Sequence, residues 1–343
     1  MSRSVKRSVV VVTGFLGSGK TTLLLRALAG ARDTAVVVNE FGEVGLDHHL
    51  LRRTGERTVL LGSGCVCCAR REDLVESLLD LLALEGKGEN PGLRRVVVET
   101  SGLADPAPIL FTVSEHPVLR HHFSVDRVIT TVDTANGRLH LDNPESVAQI
   151  AAADRLLLTK RDLAPEVESL RLADRLRRIN PAATLVFSDE TDPKSLFEGS
   201  DDDARAYRVP PPGASHGGGT ASMTDSVSLT FDGPVDWVAF GVWLSMLLHA
   251  QGEKVLRVKG MLDVGEAGPA VLNGVQHTVH APQHLDSWPD GDRTSRLVFI
   301  TRGLEAGVIL ASLDAFSGLL GTAPRRLTAG GSPSPSRPAS RTG

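Results

Sequence analysis

The run VVVVTGFLGSGKTTLLLRALAG at residues 9–30 constrains the fold more than any other stretch of the chain. Consecutive valines ending in TGF read as a strand buried on both faces, as in a parallel sheet. KTTLLLRALAG (20–30) reads as the helix that follows, with Gly30 as its stop. Between them, Gly14-Phe15-Leu16-Gly17-Ser18-Gly19-Lys20-Thr21 matches the spacing G-x-x-x-x-G-K-[ST]. Glycines there let backbone N–H groups curl around phosphate oxygens, and the helix N-terminus adds favourable partial charge. Lys20 is placed to reach the β- and γ-phosphates, and the Thr21 hydroxyl to bind Mg²⁺.

The rest of the first half repeats the strand–helix scheme. TAVVVNE (34–40), RTVLLGSG (57–64), RRVVVETSG (94–102), DRVITTVDT (126–134), DRLLLTKRD (154–162) and ATLVFSD (183–189) read as strands. REDLVESLLDLLALE (71–85) and VESLRLADRLRRIN (167–180) carry helical apolar spacing. Alternation of this kind implies an α/β fold with a mainly parallel sheet and crossovers on both faces. Near residue 198 the composition turns rich in Pro, Gly and Ser, as in a linker. Beyond it a strand and helix, then KVLRVKGMLDV, AVLNGVQHTVHA and RLVFITRG as strands and GVILASLDAF as a helix, suggest a smaller α+β domain. The expected division is 1–198, a linker over 199–226, a second domain over 227–325 and a disordered tail over 326–343.

An acid is expected at the end of a second buried strand, and Glu99 in VVVETSG meets that requirement. It would hold or orient Mg²⁺ or its water, with the Gly102 N–H sensing the γ-phosphate. Glu99 could instead serve only as a helix-start acid of the segment that follows. Residues 159–162 are Thr-Lys-Arg-Asp after an apolar strand. A carboxylate at Asp162 can accept from N1–H and the exocyclic amine of guanine, a donor pair that adenine lacks. The Lys160 stem can cover the base plane. Guanine-binding proteins usually carry Asn where Thr159 stands.

Cys65, Cys67 and Cys68 are the only 3 cysteines, and all lie in GCVCC. Three thiolates suit Zn²⁺, leaving one position for another ligand, and they also accept Co²⁺ and soft metals such as Cu(I). C-x-C-C is not the C-x-x-C spacing of thiol oxidoreductases, and inert buried cysteines would be scattered. A compact cluster without a second ligand pair favours an exchangeable metal over a structural one. The loop NEFGEVGLDHH (39–49) follows the strand after the phosphate-loop helix, the region that the γ-phosphate orders in phosphate-loop switches. Glu40, Glu43, Asp47, His48 and His49 in it are candidate ligands.

The net charge of −4, from 37 basic and 41 acidic residues, gives no reason to expect a nucleic-acid partner. No stretch approaches the ~18 apolar residues of a membrane span, and no signal peptide is evident, so the cytoplasm is the expected compartment. Thiols stay reduced there, which again favours metal binding.

Together GFLGSGKTT, NEFGEVGLD, GCVCC, ETSGLADP and LTKRD, with RVKG (257–260) and LVFITRGL (297–304), resemble the CobW-like family of phosphate-loop GTPase metallochaperones. The resemblance runs from about residue 8 to 320 and implies a phosphate-loop GTPase domain with a smaller C-terminal α+β domain. It implies slow GTP hydrolysis to GDP, coupled to delivery of Zn²⁺ or another transition metal to a metal-requiring client protein. Its nucleotide residues map to Gly14, Gly17, Ser18, Gly19, Lys20, Thr21 and Thr22, and to Glu99, Gly102, Thr159, Lys160 and Asp162. Its metal residues map to Cys65, Cys67 and Cys68. The linker, with His216 alone in it, lacks the His-rich tract of some members. Rival readings are a metal sensor or buffer with nucleotide as a structural ligand, cobalt insertion in cobalamin biosynthesis, and a small-molecule kinase. TKRD argues against the kinase, since it points to guanine.

Overall fold

Valine after valine in β1, Arg7–Gly14, leaves no solvent-facing side for a strand to show, so both of its faces must be covered. The computed structural model describes residues 6–29, 31, 33–38, 71–87, 92–198, 224–280, 282–289, 291–322 and 324–326. In it β1 is central to a six-stranded sheet of order β2-β3-β1-β4-β5-β6, every pairing parallel. The other strands are β2 (Thr34–Val38), β3 (Arg95–Glu99), β4 (Phe123–Asp133), β5 (Arg155–Thr159) and β6 (Thr184–Phe187).

Because strand side chains alternate, the valines of β1 divide between two cores. Val9 and Val11 join Val96 and Val98 under α2 (Arg71–Gly86) and α3 (Ala107–Glu115), through Leu78, Leu81 and Leu110. Val10 and Val12 face the opposite way, onto Leu23, Leu24 and Ala27 of α1 (Lys20–Ala27). A third cluster packs Val132, Leu156 and Leu158 under α4 (Pro144–Ala152) and α5 (Glu166–Ile179).

The second sheet is antiparallel, of order β10-β9-β8-β12-β7-β13, with β11 against β9. It comprises β7 (Thr224–Phe231), β8 (Val255–Leu262), β9 (Ala270–Val275), β10 (Thr278–Val279), β11 (Gln283–His284), β12 (Ser295–Arg302) and β13 (Pro324–Arg326). Helices α6 (Trp237–Gln251) and α7 (Ala306–Leu320) cover one face of it, with Phe240, Trp243, Ile309 and Leu313 packed on Leu229, Val258 and Phe299. From the other face Leu256, Val298 and Ile300 meet Ala151 of α4.

Three sequence expectations change. AVLNGVQHTVHA is not one strand: β9 and β10 form a hairpin, turning at Gln276 with φ 51°. β7 begins at Thr224, inside the expected linker of 199–226, because Thr224, Asp225 and Ser226 pair with Arg302, Thr301 and Ile300. Helices α3 and α4 were not foreshadowed by any periodic run. The expected strand 57–64 lies outside the described residues, as do the loop 39–49 and the tail 327–343.

Candidate functional site

The phosphate loop leaves β1 at Gly14, between the C-terminal ends of β3 and β4. This is where the strand order reverses, the point at which open α/β sheets bind ligands. Gly14 has φ 141°, and a Cβ there would lie 2.4 Å from the Thr131 carbonyl oxygen. Gly19 caps α1 in the left-handed region. Lys20 Nζ folds back across the loop, donating to the Gly14 carbonyl at 2.9 Å and the Phe15 carbonyl at 3.4 Å. Ser18 Oγ meets Thr131 Oγ1 of β4 at 2.7 Å, and Thr159 Oγ1 of β5 donates to the Ser18 carbonyl at 2.7 Å. The loop is thus tied to two neighbouring strand ends. Gly17 and Thr22 sit in the same loop-to-helix turn.

On the β3 side, the register Val12↔Glu99 brings the acid level with the start of the loop. Thr21 Oγ1 donates to Glu99 Oε1 at 3.0 Å, and Glu99 is 5 % exposed. A hydroxyl and a carboxylate converging in this way are the hard oxygen donors that Mg²⁺ takes. The alternative role for Glu99 falls to another residue. The next helix is α3, and Asp105 Oδ1 accepts from the Ala107 N–H at its start, at 2.9 Å. Gly102 lies against the loop: a Cβ on it would come within 2.8 Å of Leu16 N and Cα.

On the β5 side, Lys160 adopts φ 55° and donates from Nζ to Asp133 Oδ2 at 3.0 Å. Asp133 also accepts from the Ala135 and Asn136 N–H groups and from Asn136 Nδ2. Burial works to raise its carboxyl but is outweighed by these bonds from Asn136 and Lys160, which hold it below the usual range. The Phe15 ring lies 4.6 Å from that of His140, which burial, and then Lys160, hold below the ordinary imidazole value against the pull of Asp133. Asp162 is exposed on the single helical turn Arg161–Leu163.

Cys65, Cys67, Cys68, Glu40, Glu43, Asp47, His48 and His49 lie outside the described residues. The chain enters that segment directly after Val38, which pairs in register with Glu99. Among the described residues no three His, Cys, Asp or Glu side chains group so as to hold a metal. The second-domain histidines make separate contacts: His277 Nδ1 with the Leu248 carbonyl, His280 Nδ1 with Ser114 Oγ, and His284 with Glu266.

Reading along the sequence missed Thr131, Asp133, Asn136, Asp105 and Gln149. Local signals existed for Asp133, the polar end of a buried strand, for Asn136 in the Asn-Gly pair that follows it, and for Asp105 within ETSGLADP.

The profile of the CobW/HypB/UreG nucleotide-binding domain matches residues 8–187, and that of the cobalamin synthesis protein cobW C-terminal domain matches residues 224–317. The chain is 36% identical to the zinc chaperone YjiA of Escherichia coli over 320 residues, covering 91% of this chain and 98% of that protein. It is 30% identical to the zinc-regulated GTPase metalloprotein activator 1 of Schizosaccharomyces pombe over 188 residues, covering 52% of this chain and 44% of that protein. The crystal structure of Zn(II)-bound YjiA GTPase superposes with a TM-score of 0.68 at 31% identity, covering 91% of this chain and 99% of that one.

Proposed function

The chain belongs to the CobW/HypB/UreG family, and from that premise we propose that it is a GTP-hydrolysing metallochaperone that carries zinc to client proteins. The observation that carries the reading is the joining of a complete phosphate loop, with Thr21 on Glu99, to near-full-length similarity with a protein named a zinc chaperone.

The loop N–H groups from Gly14 to Thr22 bind the phosphates of GTP, and Lys20 exchanges its carbonyl partners for β- and γ-phosphate oxygens. Thr21 and Glu99 hold Mg²⁺, which when bound neutralises charge between the β- and γ-phosphates. The Gly102 N–H faces the γ-phosphate. Lys160, kept in place by Asp133, covers the guanine ring, and Asp162 accepts from its N1–H and amine. Zinc is the cargo, taken by the thiolates of Cys65, Cys67 and Cys68, with Glu40 and Glu43 as further candidate ligands and Co²⁺ as a second acceptable ion.

GTP orders the 39–49 segment and completes or shields the thiolate site; hydrolysis relaxes it and loosens the metal. Reciprocity then requires metal to shift GTP affinity by the same factor. The test is Zn²⁺ and Co²⁺ affinity with GDP and with a non-hydrolysable GTP analogue, for the wild type and a Cys65→Ser, Cys67→Ser, Cys68→Ser triple variant. Tighter metal binding with the analogue, lost in the triple variant, is expected. Equal affinity with both nucleotides overturns the coupling, and an unaffected triple variant overturns the thiolate site.

A further inference from the structure

The stretch from Thr100 to Pro106, between β3 and α3, is held by two glutamines from different domains. Gln149 of α4 is 1 % exposed, and its Nε2 donates to the Gly102 carbonyl at 3.1 Å and the Ala104 carbonyl at 3.0 Å. Both neighbours are acceptors, so the amide must present its NH₂ to them. Gln276, at the tip of the β9–β10 hairpin in the second domain, donates from Nε2 to Asp105 Oδ2 at 2.7 Å. Asp105 thus divides its oxygens, Oδ1 capping α3 and Oδ2 receiving the second domain. Gln276 takes this position at φ 51°, a conformation uncommon outside glycine.

The helix that carries Gln149 is itself gripped from the second domain. Near its start the Pro144 carbonyl accepts from Arg302 Nη2 at 3.0 Å. At its end the Ala152 carbonyl accepts from Arg257 Nη1. Just beyond, Asp154 pairs with Arg257 and with Lys259.

We propose that the second domain sets the rate of GTP hydrolysis by clamping Gly102–Asp105, directly through Gln276 and indirectly through α4 and Gln149. The proposal rests on the reading of Gly102 as the γ-phosphate contact. Only the two soft dihedrals of Gly102 separate its held carbonyl from its N–H, so holding two carbonyls and the Asp105 side chain restrains where that N–H is presented. Gln149 and Gln276 are positioning residues, and a loosened segment costs turnover because misplacement by about 1 Å can cost ~10²-fold.

The test compares Gln276→Gly, Gln276→Asn and Gln149→Met in the full chain, by kcat and KM for GTP, GDP affinity and thermal midpoint. Glycine accepts φ 51° without strain, so Gln276→Gly keeps the thermal midpoint, while kcat falls about tenfold. GDP has no γ-phosphate, so its affinity holds. Gln276→Asn keeps an amide and tolerates the left-handed turn, and recovers part of the loss. Gln149→Met preserves volume without donors, and its loss combines with that of Gln276→Gly to less than the product. Wild-type kcat in both Gln276→Gly and Gln149→Met overturns the clamp. Gly102→Ala separates the two ideas when read by affinity, because its Cβ would press on Leu16 and lower kcat in any case. Weaker binding of a non-hydrolysable GTP analogue with GDP affinity unchanged spares the γ-phosphate reading even if the glutamine variants sink the clamp, and equal weakening of both nucleotides sinks that reading too.

Discussion

Thr159 Oγ1 donates to the Ser18 carbonyl at 2.7 Å and fastens the end of β5 to the phosphate loop. The same hydroxyl lies 3.3 Å from the Val132 carbonyl. An asparagine would bring two donors to this position and threonine brings one, which the loop contact uses. The departure from Asn-Lys-x-Asp therefore keeps a tie between the strand end and the loop.

Thr159→Val keeps the shape and removes that donor, leaving a buried carbonyl without it. The cost is about 1–2 kcal/mol, or roughly tenfold in nucleotide affinity. Because the loop serves GDP and GTP alike, both affinities should weaken together, with KM raised and kcat near wild type. Thr159→Ser should behave as wild type. Titration of both nucleotides decides the matter; weakened binding of GTP alone would contradict it.

Thr21 and Glu99 meet at 3.0 Å, and that contact predicts a shared dependence on Mg²⁺. Glu99→Gln keeps the size and removes the charge, and turnover should fall about 10²-fold, the scale of losing one electrostatic group in a site. The Mg²⁺ concentration for half-maximal turnover should rise in Glu99→Gln and in Thr21→Val, and stay near wild type in Thr21→Ser. An unchanged Mg²⁺ dependence in Glu99→Gln would remove it from the site.

What the sequence disclosed was local and contiguous. The phosphate loop could be read because its glycines, lysine and threonine sit within one turn beside a run of valines. Glu99 could be read because a buried strand ended on it. The ties that set the site's geometry join residues far apart in the chain: Ser18 to Thr131 and Thr159, Lys160 to Asp133, Gln149 to Gly102, and Gln276 to Asp105. A polar residue gives no sign of a partner so distant in sequence. The β9–β10 turn escaped notice for another reason. Gln276 holds its positive φ without the glycine or asparagine that marks such turns. Helix α4 was hidden because its 9 residues, PESVAQIAA, are too short a window for a helical period to stand out.

Asp154 holds the seam between the domains and should be costly to remove. Burial works to raise its carboxyl, but Arg257 and Lys259 outweigh that and hold it well below the usual range. Arg257 is 1 % exposed, so Asp154→Ala takes the carboxylate from beside a buried guanidinium, at a cost of about 3–5 kcal/mol. Asp154→Ala with Arg257→Met should recover part of this. Urea unfolding at neutral pH measures both. A lowered carboxylate contributes fully above its ordinary range and loses its contribution as pH falls through its folded value. The gap between wild type and Asp154→Ala should therefore narrow below about pH 4.

His280 predicts a second pH effect at the same seam. Its ring faces Ser114 of α3, with Arg257 and Asp154 nearby. Burial first, and then Arg257, push it from 6.5 down to about 4, against the opposing pull of Asp154. The unfolded chain therefore takes a proton that the folded chain refuses. Stability from this group is complete above about pH 6.5 and is lost as pH falls toward 4, by up to about 3 kcal/mol. His280→Gln keeps a polar side chain with no proton to gain. Its urea midpoint should fall less than that of the wild type between pH 7 and pH 4.5. Every other residue is the same in the two proteins, so the difference between the two curves isolates His280. Parallel curves would show that the ring takes its proton in the folded state as readily as in the unfolded one.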